Sequence, residues 1–140
     1  MVALMKLNDA PFCQIEDGTK KIELRLFDEK RRRIDLHDYI IFSNITDERR
    51  KLAVVVKSLH RYTTFMELFK DIPPSLCGFG EYINAEEAAG MMGAYYTQDE
   101  ISTFGVLGIG IELTSLSFAK HLAEDQKTLQ MERLFPDGVK

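Results

Sequence analysis

The sequence predicts an α+β domain: a small, curved, mostly antiparallel sheet or open barrel with helices around it. Three observations predict it. About five segments carry the period-two alternation or β-branched run of a strand. The helical segments are mostly short and bring their own start signals. The strands are mostly not separated by long helices, which excludes a doubly wound parallel sheet.

Val2 to Leu7 reads as a first strand. Asn8 or Asp9 caps a helix with Pro11 in its first turn, Phe12 and Ile15 within it, and Gly18 as its stop. Lys21 to Leu26 then alternates, with Ile22, Leu24 and Leu26 on one side and Lys21, Glu23 and Arg25 on the other. Asp28 to Arg33 has no apolar partner and reads as a turn or short solvated helix. Asp38 to Ser43 and Lys51 to Tyr62 form a hairpin across Asn44–Glu48. Thr64, with Glu67 in the capping-box position, opens a helix that ends before Pro73-Pro74. Asn84 opens another, running through Met91 and Met92 towards Tyr95, and Thr97 with Glu100 opens a third. Gly105 to Leu113 is a strand whose glycines indicate a bend or a close backbone approach. Thr114 or Ser115 caps a final helix to about Leu134, with an apolar stripe of Leu116, Ala119, Leu122, Ala123, Leu129 and Leu134 that Gln126 interrupts. Packing on the barrel or a dimer contact both suit it, so the chain is expected to be a monomer or a homodimer.

The 140 residues fit one domain. A chain this long buries roughly two thirds of its unfolded surface and needs no disulfide or metal to fold. No apolar run approaches the roughly 18 residues of a membrane span, and residues 1–6 do not read as a secretory signal, so a cytoplasmic location and no membrane partner are expected. Cys13 and Cys77 lie in no Cys-x-x-Cys pair and near no histidine cluster, and His37, His60 and His121 lack ligand spacing. Reduced thiols, no metal and no cofactor are expected.

Net charge is −4, opposite to a general nucleic-acid binder. Residues 20–33, however, hold seven basic and three acidic groups, +4 locally, leaving −8 for the rest. Residues 71–119 hold seven acids and no Lys or Arg. A local basic field attracts an anionic ligand even on an acidic protein; ordinary surface asymmetry is the alternative.

Lys20, Glu23 and Arg25 are the leading candidates for chemistry. Arg25 is a bidentate donor, Lys20 a point charge, and Glu23 an acceptor or general base. The alternative is a solvated strand face whose ion pair contributes at most about 1 kcal/mol. Arg61 and Tyr62 end the long strand, where Tyr62 can stack on a base or pack at a rim; Tyr95 and Tyr96 share that ambiguity. Arg31, Arg32 and Arg33 suit phosphate contact or simple solubility. Glu81, after Gly78-Phe79-Gly80, is a candidate carboxylate opposite Lys20.

Gly18-x-Lys20-x-x-Glu23-x-Arg25 resembles the G-x-K-x-x-E-x-R signature of the ASCH (activating signal cointegrator homology) domain family. The flanking Pro11-Phe12, Asp38-x-Ile40-x-Phe42, Tyr62-x-x-Phe65-x-x-Leu68, Tyr95-Tyr96 and Gly105-Val106-Leu107-Gly108-Ile109 resemble the family's order, over about residues 2–113. The resemblance implies a PUA-like β-barrel over residues 1–113, with 114–140 a helical extension on the same domain. It also implies a cleft beside the signature, and RNA, a nucleotide or a modified nucleobase as partner; no DNA specificity is evident. Some members resemble ribonucleases, and one small bacterial group of similar scaffold deacylates N4-acetylcytidine. That group has a threonine nucleophile where this chain has Glu23, which cannot act as that hydroxyl; Thr19 lies near but at a different position. Three readings therefore stand: a binding module using Lys20, Glu23 and Arg25, a small hydrolase in which Lys20 and Glu23 are catalytic, and a protein-interaction domain.

Overall fold

A computed structural model describes residues 1–134, with side chains through residue 127. The strands are β1 (Val2–Leu7), β2 (Ile22–Leu26), β3 (Tyr39–Asn44), β4 (Lys51–Tyr62) and β5 (Val106–Thr114). The helices are α1 (Asp9–Glu16), α2 (Phe65–Asp71), α3 (Ala85–Met91), α4 (Gln98–Phe104) and α5 (Leu116–Leu134). The sheet order is β1-β3-β4-β5-β2, with β1 parallel to β3 and the other three pairings antiparallel. The parallel pair is reached by a long connection containing α1 and β2, as parallel pairing requires.

The sheet curls into a half-barrel. The twelve-residue β4 pairs with β3 along its first half and with β5 along nearly all its length, and the register slips between Val56 and Ser58. Such a bulge bends and twists the strand. Gly110 sits opposite, where a Cβ would collide with Ser58 Oγ, so the expected close approach is real.

The period-two pattern of β2 divides two cores. Ile22, Leu24 and Leu26 pack outward against Phe65, Leu68 and Phe69 of α2 and Ile101 of α4. Glu23, Arg25 and the following Phe27 therefore lie on the inner face, with Leu107, Ile109 and Leu59. Phe12 of α1 closes that inner core and is fully buried. Each large apolar side chain buried this way contributes about 1.5–3 kcal/mol.

On the outer face, α5 buries Ala119 against Ile41 and Ala53, and Phe118 meets Tyr39 edge-on at 5.6 Å. Gln126, the break in the predicted stripe, accepts the Val2 N–H of edge strand β1 at 3.1 Å. The stripe positions Leu129 and Leu134, and residues 135–140 of the predicted extension, fall outside the side chains or residues described.

Three local expectations are corrected. Helix α3 stops at Met91 and gives way to a tighter turn over Met92–Ala94, with Gly90 in the helix's last turn and Gly93 in the turn itself, both poor helix formers. Thr64 caps α2, but the Glu67 carboxylate accepts from the Thr63 hydroxyl at 2.7 Å instead of closing the box. Asn8 stands at the N-cap of α1 without a side-chain cap bond. Among the described residues no helix is long and apolar enough to cross a membrane.

Candidate functional site

Gly18, at φ +85°, turns the chain out of α1 in a conformation that costs other residues. Lys20 N–H then donates to the Gln14 carbonyl at 3.0 Å and Lys21 N–H to the Leu76 carbonyl at 2.8 Å. These bonds place Lys20 at the entrance to β2, and the alternation of β2 delivers Glu23 and Arg25 to the same hollow.

The three side chains form one chain of contacts. Lys20 Nζ lies 2.9 Å from Glu23 Oε1, and Arg25 Nε and Nη2 each lie 2.9 Å from Glu23 Oε2. Leu24 N–H donates to Glu23 Oε1 at 3.2 Å, and Arg25 Nη2 reaches across to the Lys6 carbonyl at 2.9 Å. Glu23 is 3% exposed and Lys20 9%, which excludes the solvated strand face. Burial pushes the Glu23 carboxyl up, but the charges of Lys20 and Arg25 and their hydrogen bonds outweigh it and hold the group below the ordinary carboxylate range. Glu23 is thus an ionised counter-ion, a weakened base whose two oxygens are both engaged. The trio carries +1: two cations and one anion.

The trio floors a cleft of about 540 Å³. Asn8 and Gln14 form the α1 wall, Cys77, Gly78 and Phe79 a second wall, and Met92, Tyr95 and Tyr96 the third. Tyr96 is held by stacking on Phe65, with ring centroids 6.0 Å apart, and Phe79 by an edge contact with Phe69 at 5.6 Å. Burial pushes the Cys77 thiol up to about 12, and Glu23 adds to this while Lys20 opposes it. Cys77 is therefore a neutral thiol, not a nucleophile. Burial also raises the Tyr96 phenol, with Arg25 opposing.

Gly78 fixes how α1 meets this wall. Its φ is +95°, and an added Cβ would lie 2.6 Å from Gln14 Oε1 and 3.2 Å from Lys20 Cδ. Gln14 Nε2 donates to the Gly78 carbonyl at 3.1 Å. Gly78→Ala is expected to cost about 1–3 kcal/mol from the backbone conformation, and to shift Lys20. Urea unfolding measures the first, and Lys20 side-chain NMR shifts the second; unchanged values in both would refute this role for Gly78.

The other sequence candidates lie elsewhere. Thr19 is exposed, its hydroxyl directed to Asp17 Oδ1 at 2.7 Å, because it falls on the outside of the turn after Gly18. Glu81 is exposed in the loop before α3, and the carboxylate that meets Lys20 is Glu23 itself. Arg61 and Tyr62, two strands across from β2, border a different groove, and the Tyr62 hydroxyl donates to Asp71 Oδ2 at 2.8 Å. Sequence reading missed Asn8, Gln14, Phe79 and Met92. Gln14 alone left a signal, as a polar residue one helical turn before the signature glycine. Among the described residues no group of three or more His, Cys, Asp or Glu is arranged to hold a metal ion.

A family model for the ASCH domain matches residues 5–115. The crystal structure of the protein PH0355 matches with a TM-score of 0.71 and 32% identity, over 81% of this chain and 100% of that one. The solution structure of PF0455 from Pyrococcus furiosus matches with a TM-score of 0.65 and 30% identity, over 82% and 99%. A variant of ZmASCH from Zymomonas mobilis shares the fold at 12% identity, with a TM-score of 0.54 over 83% and 75%. No curated protein matches the sequence. On the family match, the two relatives at 30% identity or above and the curled five-stranded sheet, the chain belongs to the ASCH domain family and has its PUA-like fold.

Proposed function

We propose that the cleft binds a nucleobase of RNA or of a nucleotide, with Lys20 and Arg25 as donors and Glu23 as their internal counter-ion. The observation that carries this is the buried trio of net charge +1 beneath Tyr95 and Tyr96. Arg25 uses Nε and Nη2 on Glu23 and Lys6, and Lys20 uses one ammonium proton on Glu23. The remaining donors suit a base carbonyl or a phosphate oxygen. The cavity is within the range of small-ligand sites, and the tyrosines offer faces for a base to stack on. The PUA-like fold, commonly linked to RNA binding, supports the reading.

The geometry favours binding over hydrolysis. Glu23 is held too acidic and too fully bonded to serve as a base near neutrality. Lys20→Ala is expected to weaken binding of a nucleoside monophosphate by about ten- to thirtyfold, the loss of one charge-assisted hydrogen bond. Isothermal titration reads this out, and binding that is indifferent to Lys20 would sink the proposal.

A further inference from the structure

A second groove, of about 550 Å³, is bordered by Phe27, Arg61 and Tyr62. Across the sheet, Arg25 of β2 pairs with Leu107 of β5, and Leu107 pairs with Arg61 of β4. Directly paired residues share a face, so both arginines stand on the inner face in one row. Two interstrand steps separate their Cα atoms by about 10 Å. Phe27, two residues beyond Arg25 on the same face, lines this groove, and the Arg61 guanidinium sits 3.8 Å from the centroid of its ring. Arg32 approaches the same ring at 5.3 Å, its Nε donating to the Phe27 carbonyl at 3.4 Å.

Arg61 has no acidic or hydrogen-bonding partner among the described residues, although it is fixed in place by the ring. Other surface arginines here, Arg31, Arg33, Arg49 and Arg50, all do. Of the hydroxyl residues that border the same groove, Thr63 donates to Glu67 and Thr103 to the Asp99 carbonyl, each at 2.7 Å, and Ser102 has no side-chain partner among the described residues. The one carboxylate there, Glu67, already accepts from Thr63. A stacked guanidinium with free edges beside the Ser102 hydroxyl is suited to a phosphate diester. We propose that this groove is a phosphate subsite, and that the chain's ligand is a single RNA strand whose base enters the cleft while a neighbouring phosphate rests on Arg61. This rests on the cleft reading for the base and on separate residues for the phosphate.

Fluorescence anisotropy across a salt series, on a short single-stranded RNA and on a nucleoside monophosphate, tests it. Arg61→Ala is expected to weaken RNA binding about tenfold, to lower the salt slope by about 0.7, the value for one phosphate of a single strand, and to leave monophosphate binding unchanged. Arg61→Lys keeps the charge without the planar fork and should fall between. Arg61 is exposed, so folding is not at stake in either variant. Unchanged RNA affinity and slope in Arg61→Ala, or a wild type that binds RNA no better than the monophosphate, overturns the groove and leaves the cleft reading intact. RNA binding weakened by Arg61→Ala but indifferent to Lys20→Ala supports the groove and overturns the cleft. A wild type that binds neither probe overturns both.

Discussion

Replacing Glu23 by alanine is expected to lower the stability of the fold by about 3–5 kcal/mol, the usual result of removing one partner from a buried ion pair. The substitution leaves Lys20 and Arg25 facing each other across a hollow with no anion between them. Glu23→Gln preserves shape and one acceptor, and should lie between alanine and wild type. Urea denaturation at neutral pH measures the series; an alanine variant within about 1 kcal/mol of wild type would show the trio to be energetically idle. Acid titration adds a second readout. The folded state holds the Glu23 carboxyl below its ordinary value, so the unfolded chain takes up that proton first. The stability that ionised Glu23 contributes is fully present above about pH 4.3, the ordinary glutamate value. It is lost as pH falls from there through the lower folded value. The wild type should therefore lose stability across that acid window more steeply than Glu23→Gln.

Arg25→Ala is expected to abolish most ligand binding and to loosen the barrel as well. Strands β1 and β2 are the two edges of the sheet, and they are not paired to each other. Arg25 Nη2, donating to the Lys6 carbonyl, is a side-chain bridge across that seam. Its loss removes that bond and one of the two partners of Glu23, a destabilisation of about 1.5–3 kcal/mol. Removing the donors that Arg25 keeps free for a guest should also weaken nucleotide binding by about 1.5–3 kcal/mol, roughly one to two orders of magnitude. Arg25→Lys should rescue little. An ammonium restores the charge but cannot span Glu23 Oε2 and the Lys6 carbonyl while offering an edge to a guest. A lysine variant that binds and unfolds like wild type would refute the bridging role.

Much of the fold could be read from local pattern. The alternation of Ile22-Glu23-Leu24-Arg25-Leu26 gave both the strand and the face on which its charges meet, because a period of two leaves no other choice. Start signals at Thr64, Asn84 and Thr97 located α2, α3 and α4 for the same reason: a cap is a local hydrogen bond. The parallel pairing of β1 with β3 left no such mark, since it is decided by where distant segments find their partners. In the site, the floor was legible and the walls were legible only at Tyr95 and Tyr96. Lys20, Glu23 and Arg25 are neighbours in sequence, whereas Gln14, Phe79 and Met92 arrive from three separate parts of the chain. Thr19 shows the converse error, since nearness to a signature residue along the chain does not place a side chain on its side of the backbone. The sequence also did not link Arg61 to the ring of Phe27 on which its guanidinium rests.

Glu23 holds its two cations in position before any guest arrives, and this has a consequence for selectivity. The water around Lys20 and the rotamer freedom of Arg25 are surrendered when the chain folds, so an incoming molecule meets a rigid socket and need not remould it. Such a socket discriminates by refusal. A guest of the right size that lacks an oxygen or ring-nitrogen acceptor would seal an ammonium and a guanidinium away from solvent with nothing to satisfy them, and would be rejected more sharply than shape alone allows.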